Sequence, residues 1–217
     1  MRNPTLEDFD WELAVQKLPL LAALPRTARA AVRVQELDAG DALFHAGSAP
    51  SSMFFVLAGE VRLVRTSRTG SEIVLQRARG GIVAESSLDQ RAYHCDALVS
   101  TPTSVLAVPS AVIRQSLKDE SFAAAWRTEL SRELRRLRAQ CERLSLKAAE
   151  DRIRHYLETE GEYGVLTLTQ SKKRWAAELG LTHEALYRSL AHMVRSGLIR
   201  IDGSSIRLAN KRHQARK

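Results

Sequence analysis

The chain has little cysteine: Cys95 and Cys141 are the only two in 217 residues, and they lie far apart. They are too few for a disulfide framework and wrongly spaced for a metal knuckle. No apolar run approaches the ~20 residues that a membrane-spanning helix needs. The start, "MRNPTLEDFDWEL", lacks the charged-then-apolar layout of a secretory signal. These absences predict a folded cytoplasmic protein with no membrane partner. No nucleophile–base pair, metal cluster or phosphate-binding glycine loop stands out, which argues against an enzyme. From residue 110 to 160 there is neither glycine nor proline, so nothing in that stretch obliges a helix to stop.

What is present begins with charge. Residues 161–217 hold 11 Lys/Arg against 4 Asp/Glu, whereas residues 1–160 hold 22 against 21. Nearly all of the net +8 therefore sits in the last quarter of a chain that is 44% hydrophobic and long enough to bury a real core. A compact basic segment behind a neutral body points to a polyanionic partner, nucleic acid first.

Three patterns follow one another along the chain. Glycines recur from about residue 30 to 109, and between them lie β-rich pieces such as "SMFFVLAGEVRLVRT" and "SEIVLQRA", which predicts a β-roll. "AGDALFHAG" and "VLAGEVRLV" fit two consecutive hairpins, and "LEDFDWELAVQKLPLLAALP" predicts short helices ending near Pro25. After Pro109 the period becomes helical. Phe122, Trp126, Leu130, Leu134, Leu137, Cys141 and Leu144 recur at spacings of three and four, a seam predicted to pair with a second copy about a two-fold axis. Cys141 on that seam is read as a small apolar residue, with an intersubunit disulfide as the alternative.

The last part contains "SKKRWAAELG" and "LTHEALYRSLAHMVRSGLI", then "IRIDGSSIRLA". Ser171 and Thr182 suit helix caps, Gly180 permits the turn between two helices, and Asp-Gly suits a hairpin, which together predict a winged helix-turn-helix. On the second helix His183, Glu184, Tyr187 and Arg188 share an arc of about 140° away from Leu186, Leu190 and Met193. In this motif such a face enters the DNA major groove. The Arg188 fork suits guanine N7 and O6, and Glu184 can accept from cytosine N4. His183 and Tyr187 are the weaker readers, and Ser171, Lys172, Lys173 and Arg174 are placed for phosphates. The alternative use of the motif is docking onto a protein.

"LPLLAALP", the glycine-punctuated roll, "RLSLKAAEDRIRHYLE" and "SKKRWAAELGLTHEALYRSLAHMVRSGLIRIDGSSIRL" together resemble the superfamily of the cyclic AMP receptor protein and the fumarate and nitrate reduction regulator, over almost the whole chain. The resemblance implies an α+β fold: a cyclic-nucleotide-binding-like β-roll with N-terminal helices (1–109), a dimerisation helix (110–145) and a winged helix-turn-helix (146–217). It also implies a homodimeric transcription factor on near-palindromic double-stranded DNA, with RNA polymerase as a further partner and Glu184 and Arg188 as base readers. The effector cassette departs from the family. Cyclic nucleotide binders carry a segment like "FGE" and, about ten residues on, Arg followed by Ser or Thr and Ala. Here the run is "IVAESSLDQRAYHCDALV": Glu85 and Ala97 remain, Tyr93, His94 and Cys95 stand near the missing pair, and Leu137 and Arg138 replace the hydroxyl residues that meet adenine. Cyclic AMP is therefore not the expected effector. Glu85, Tyr93, His94, Cys95 and Arg138 are the pocket candidates, and a haem held by His94 or Cys95 is a minor alternative.

Overall fold

The computed structural model describes residues 9–66, 68, 70, 72–168 and 170–209. It divides into two compact units, Met1–Ser131 and Arg132–Lys217. Among the described residues no helix is long and apolar enough to cross a membrane.

The first unit opens with α1 (Trp11–Lys17), started by Asp10, whose carboxylate accepts from the Leu13 amide at 2.9 Å. A 3₁₀ turn (Pro19–Ala23) follows, as the sequence predicts for this segment, and a further short helix, α2 (Arg26–Arg29), lies beyond the expected end near Pro25. Six strands then form one antiparallel sheet: β1 (Arg33–Leu37), β2 (Ala42–Phe44), β3 (Ser52–Thr66), β4 (Glu72–Ala78), β5 (Gly81–Val83) and β6 (Asp96–Pro109). β3 and β6 pair along most of their length, and each serves two further strands: β4 and β5 on β3, β1 and β2 on β6.

Such long strands wrap a core only if they bend. The bend is at Gly59, with φ +85°, where a Cβ would overlap the backbone and hydroxyl of Thr103. The Thr103 hydroxyl accepts from the Glu60 amide at 3.1 Å and donates to the Thr101 carbonyl at 2.6 Å, so the broken register keeps its hydrogen bonds. "VLAGEVRLV" is thus not a hairpin, as expected from its glycine, but one kinked strand. Beside the kink the Glu60 carboxylate is buried and meets Arg77 at 3.0 Å and Arg79 at 2.8 Å.

The helix expected to run on from residue 110 is interrupted. α3 (Ser110–Ser116) ends in a turn, and α4 (Glu120–Ser145) restarts where the Asp119 carboxylate accepts from the Phe122 amide at 3.0 Å. A capping side chain three residues before an apolar position starts a new helix more readily than it continues an old one. Phe122 and Trp126 need correction as interface residues: they are 0% and 6% exposed and belong to the core of their own unit. The exposed apolar positions of α4 begin at Leu130 (37%) and include Leu134 (49%) and Leu144 (44%), with Leu137 half-buried and Cys141 exposed.

The second unit adds α5 (Ala149–Glu160), β7 (Val165–Thr167), α6 (Lys172–Glu178), α7 (His183–Arg195), β8 (Ile199–Asp202) and β9 (Ser205–Leu208). The three strands form a separate antiparallel sheet in the order β7-β9-β8. Its core is Ile153, Leu157, Trp175, Leu179, Leu186, Leu190, Met193, Ile199 and Ile206.

Because Phe122 packs within its own unit, Phe122→Ala should lower unfolding stability by about 3–5 kcal/mol whatever the protein concentration. Denaturant titration at several concentrations checks this. A loss that vanishes at high concentration would return Phe122 to an intersubunit seam.

Candidate nucleic-acid interface and effector domain

The helix-turn-helix is assembled by local chemistry. The Ser171 hydroxyl accepts from the Arg174 amide at 3.4 Å and starts α6, and the Thr182 hydroxyl accepts from the Ala185 amide at 3.1 Å and starts α7. Between them Gly180 has φ +63°. Leu186, Leu190 and Met193 are buried against Trp175 and Leu179, which fixes the face α7 turns outward. Behind α6, the Tyr156 hydroxyl donates to Glu178 Oε2 at 2.9 Å and the Gln170 amide donates to the same oxygen at 2.8 Å. Burial, and then the neighbouring Glu178 carboxylate, push the Tyr156 phenol above its ordinary range and hold it neutral.

The outward face brings the four expected base readers together. His183, Glu184, Tyr187 and Arg188 are all exposed. The His183 and Tyr187 rings meet edge-on with centroids 4.5 Å apart, and Lys172 Nζ stands 5.2 Å over the Tyr187 ring. Lys172 is thus tied to α7 through the Tyr187 ring. Glu184 and Arg188 form no ion pair with each other or with any described residue, although their four-residue spacing allows one. Lys173 is exposed and Arg174 half-buried at the start of α6. Lys211, Arg212, Arg216 and Lys217 of the basic segment lie outside the described residues.

One feature escaped the sequence reading. Arg200 on β8 and Arg207 on β9 are directly opposite in register and both exposed. Like charges facing each other across a ladder are unfavourable. Neither has an ion-pair partner among the described residues. Counting outward from the Asp-Gly turn of "IRIDGSSIRL" would have found the pair.

At the expected effector positions the first unit is packed with its own side chains. Tyr93 is 3% exposed, its ring stacks on Phe44 at 3.9 Å, and its hydroxyl donates to the Ser52 carbonyl at 2.7 Å. Burial raises both its phenol and the Cys95 thiol above their ordinary values. Tyr93 and Cys95 are therefore core residues, not pocket-lining ones, which corrects the expectation for both. His94 is exposed, with Nδ1 3.3 Å from the Ser87 hydroxyl, and Glu85 is half-buried in the 3₁₀ turn Glu85–Ser87. Arg138 is exposed on α4, in the second unit. Among the described residues no three His, Cys, Asp or Glu side chains are grouped to hold a metal.

Residues 34–120 match the family model of the cyclic nucleotide-binding domain. Among solved structures the chain is similar to FixK2 from Bradyrhizobium japonicum, at 20% identity over 83% of this chain and 93% of that one, with a TM-score of 0.63. It is similar to TTHB099, a transcriptional regulator of the CRP family from Thermus thermophilus, at 21% identity over 81% and 92%, with a TM-score of 0.55. It is also similar to DNR from Pseudomonas aeruginosa, at 23% over 94% and 96%, with a TM-score of 0.52. The chain has the Crp/Fnr fold. No sequence among curated proteins matches it.

The segment from Ala84 to Cys95 combines an unusual turn with the buried side chains of Tyr93 and Cys95. The turn before Glu85 needs a left-handed residue, and Ala84 adopts it at φ +80°. A cyclic phosphate needs a cation and donors out of bulk water. The run that carries the family's Arg-hydroxyl pair here supplies exposed Arg91 and His94 around the buried Tyr93 and Cys95. Cys95 is enclosed in the core of the first unit.

The Tyr156 contact has an alkaline consequence. Its native pKa is raised above the ordinary tyrosine value of about 10. The stability it contributes is complete below about pH 10 and is lost as pH rises through the raised value. Tyr156→Phe should flatten that decline in thermal melts taken at increasing pH, and a variant declining as steeply as the parent would contradict the assignment.

Proposed function

We propose that this chain is a homodimeric transcriptional regulator that reads a near-palindromic site on double-stranded DNA and is not switched by cyclic AMP. The observation that carries the reading is the outward face of α7, where Glu184 and Arg188 remain without partners among the described residues on a capped helix whose opposite face is buried. Unpaired exposed charges on a second helix of this motif are what base edges require. Lys172, Lys173, Arg174, Arg200 and Arg207 supply the phosphate contacts around it. Leu130, Leu134, Leu137 and Cys141, at alternating spacings of four and three on α4, are the surface by which two copies join. The protein works in the cytoplasm, with RNA polymerase as its further partner.

Selection from random duplex DNA tests the reading: a regulator enriches a palindrome, and a protein-docking module enriches nothing. On the enriched site, Arg188→Ala should cost about 1–3 kcal/mol and relax preference at one position per half-site. Arg200→Ala with Arg207→Ala should weaken specific and random DNA alike and reduce the salt slope by about two per subunit. Equal losses on both DNAs for Arg188→Ala would remove it from the base readers.

Cyclic AMP and cyclic GMP should give no heat in calorimetry at micromolar concentration and leave affinity for the enriched site unchanged. Binding by either, with tighter DNA binding, would overturn this part of the reading.

A further inference from the structure

Arg152 lies on the first turns of α5, and its guanidinium reaches four backbone carbonyls on two other segments. Nε donates to Leu146 at 2.7 Å and Nη2 to Leu144 at 3.4 Å, where α4 ends. Nη1 donates to Leu179 at 3.2 Å and Gly180 at 3.0 Å, in the turn between α6 and α7. These carbonyls are at or just past helix C-termini, where backbone oxygens have no intrahelical donor and a positive charge is favoured. A planar fork with five donors can span such a set.

The same turn packs directly on the end of α4. A Cβ at Gly180 would stand 2.9 Å from Leu144 Cδ2 and 3.1 Å from Arg152 Nη1. Gly180 is therefore required by its neighbours as well as by its backbone conformation, and only Leu181 and Thr182 separate it from the first residue of α7.

We infer that Arg152 is the positioning residue of the DNA-binding unit: it fixes the start of α7 to the end of α4 and so sets the spacing at which two half-sites can be read. The inference rests on the dimeric DNA-binding reading above and goes beyond it, because the Arg152 guanidinium is committed to backbone carbonyls of its own unit. If two copies join along α4, whatever ties α7 to α4 determines the separation and rotation of the two reading helices.

The experiment uses the full-length protein with its enriched palindrome, the same palindrome with the central spacer changed by one or two base pairs either way, and a single half-site. For the wild type, a two-base-pair change rotates one half-site by ~70° relative to the other, and affinity should fall at least about tenfold as simultaneous engagement is lost. In Arg152→Met the optimum should weaken about tenfold, the two-base-pair penalty should shrink below about threefold, and single half-site affinity should stay within about twofold. Arg152→Lys keeps charge and stem but cannot bridge four carbonyls, and should move the spacing penalty in the same direction. A wild-type spacing penalty in both variants overturns the inference. Half-site affinity falling in step with the palindrome also overturns it, since Arg152 would then only support the fold of the helix-turn-helix. If the wild type enriches no palindrome, the DNA-binding reading fails and takes this role with it. An enriched palindrome with unchanged spacing preference sinks the role of Arg152 alone.

Discussion

Helix ends leave carbonyl oxygens without donors, and the second unit depends on how those ends are satisfied. α6 is seven residues long and stops at a left-handed glycine, so most of its carbonyls face the problem at once. The Leu181 amide returns to the Ala176 carbonyl at 2.9 Å, and Arg152 takes the carbonyls of Leu179 and Gly180. Thr182 then caps α7, and the outward face of that helix is set by the burial of Leu186, Leu190 and Met193. The other arginine of this region works by burial. Arg143 is 3% exposed, and its charge is answered by Glu160 at 3.1 Å, Thr159 at 3.1 Å and the Tyr156 ring at 4.4 Å. Removing one member of such a set leaves an uncompensated charge, so it specifies one arrangement of α4 on α5 more than it adds stability.

The features legible in the sequence were those written in one residue and its near neighbours. Ser171, Thr182 and Gly180 announce their roles because caps and left-handed turns have strong residue preferences. The four residues on the outer face of α7 follow from a helical period alone. The seam on α4 was harder. Phe122, Trp126, Leu130 and Leu134 recur at one spacing, and a period identifies a buried face without saying what covers it. The division of that stripe between the chain's own core and an exposed surface appears only in three dimensions.

Other features were illegible for definite reasons. Gly59 inside "VLAGEVRLV" suits a hairpin or a kink equally well, and the outcome is set by Thr103, more than forty positions away, which accepts from the Glu60 amide. Arg152 leaves no trace in composition or spacing, because its four partners are main-chain carbonyls and any residue supplies those. Arg200 and Arg207 are intermediate: neither is notable alone, but once the Asp-Gly turn fixes the register, two like charges face each other and ask for an anion.

The curvature of the first unit is set away from the segment 85–97. What curves the roll is Gly59 against Thr103 and the buried Glu60 between Arg77 and Arg79, and none of these is a cassette residue. Ala84 adopts a left-handed conformation ahead of Glu85. Tyr93 stacks on Phe44 and donates to the Ser52 carbonyl within the core. A ligand acting through this unit would have to be read by exposed groups such as His94 and Arg91, or displace side chains already packed as a hydrophobic core. The second route forfeits the burial and hydrogen bond of Tyr93, so a small polar nucleotide with little apolar surface to offer in exchange is the poorest candidate for it.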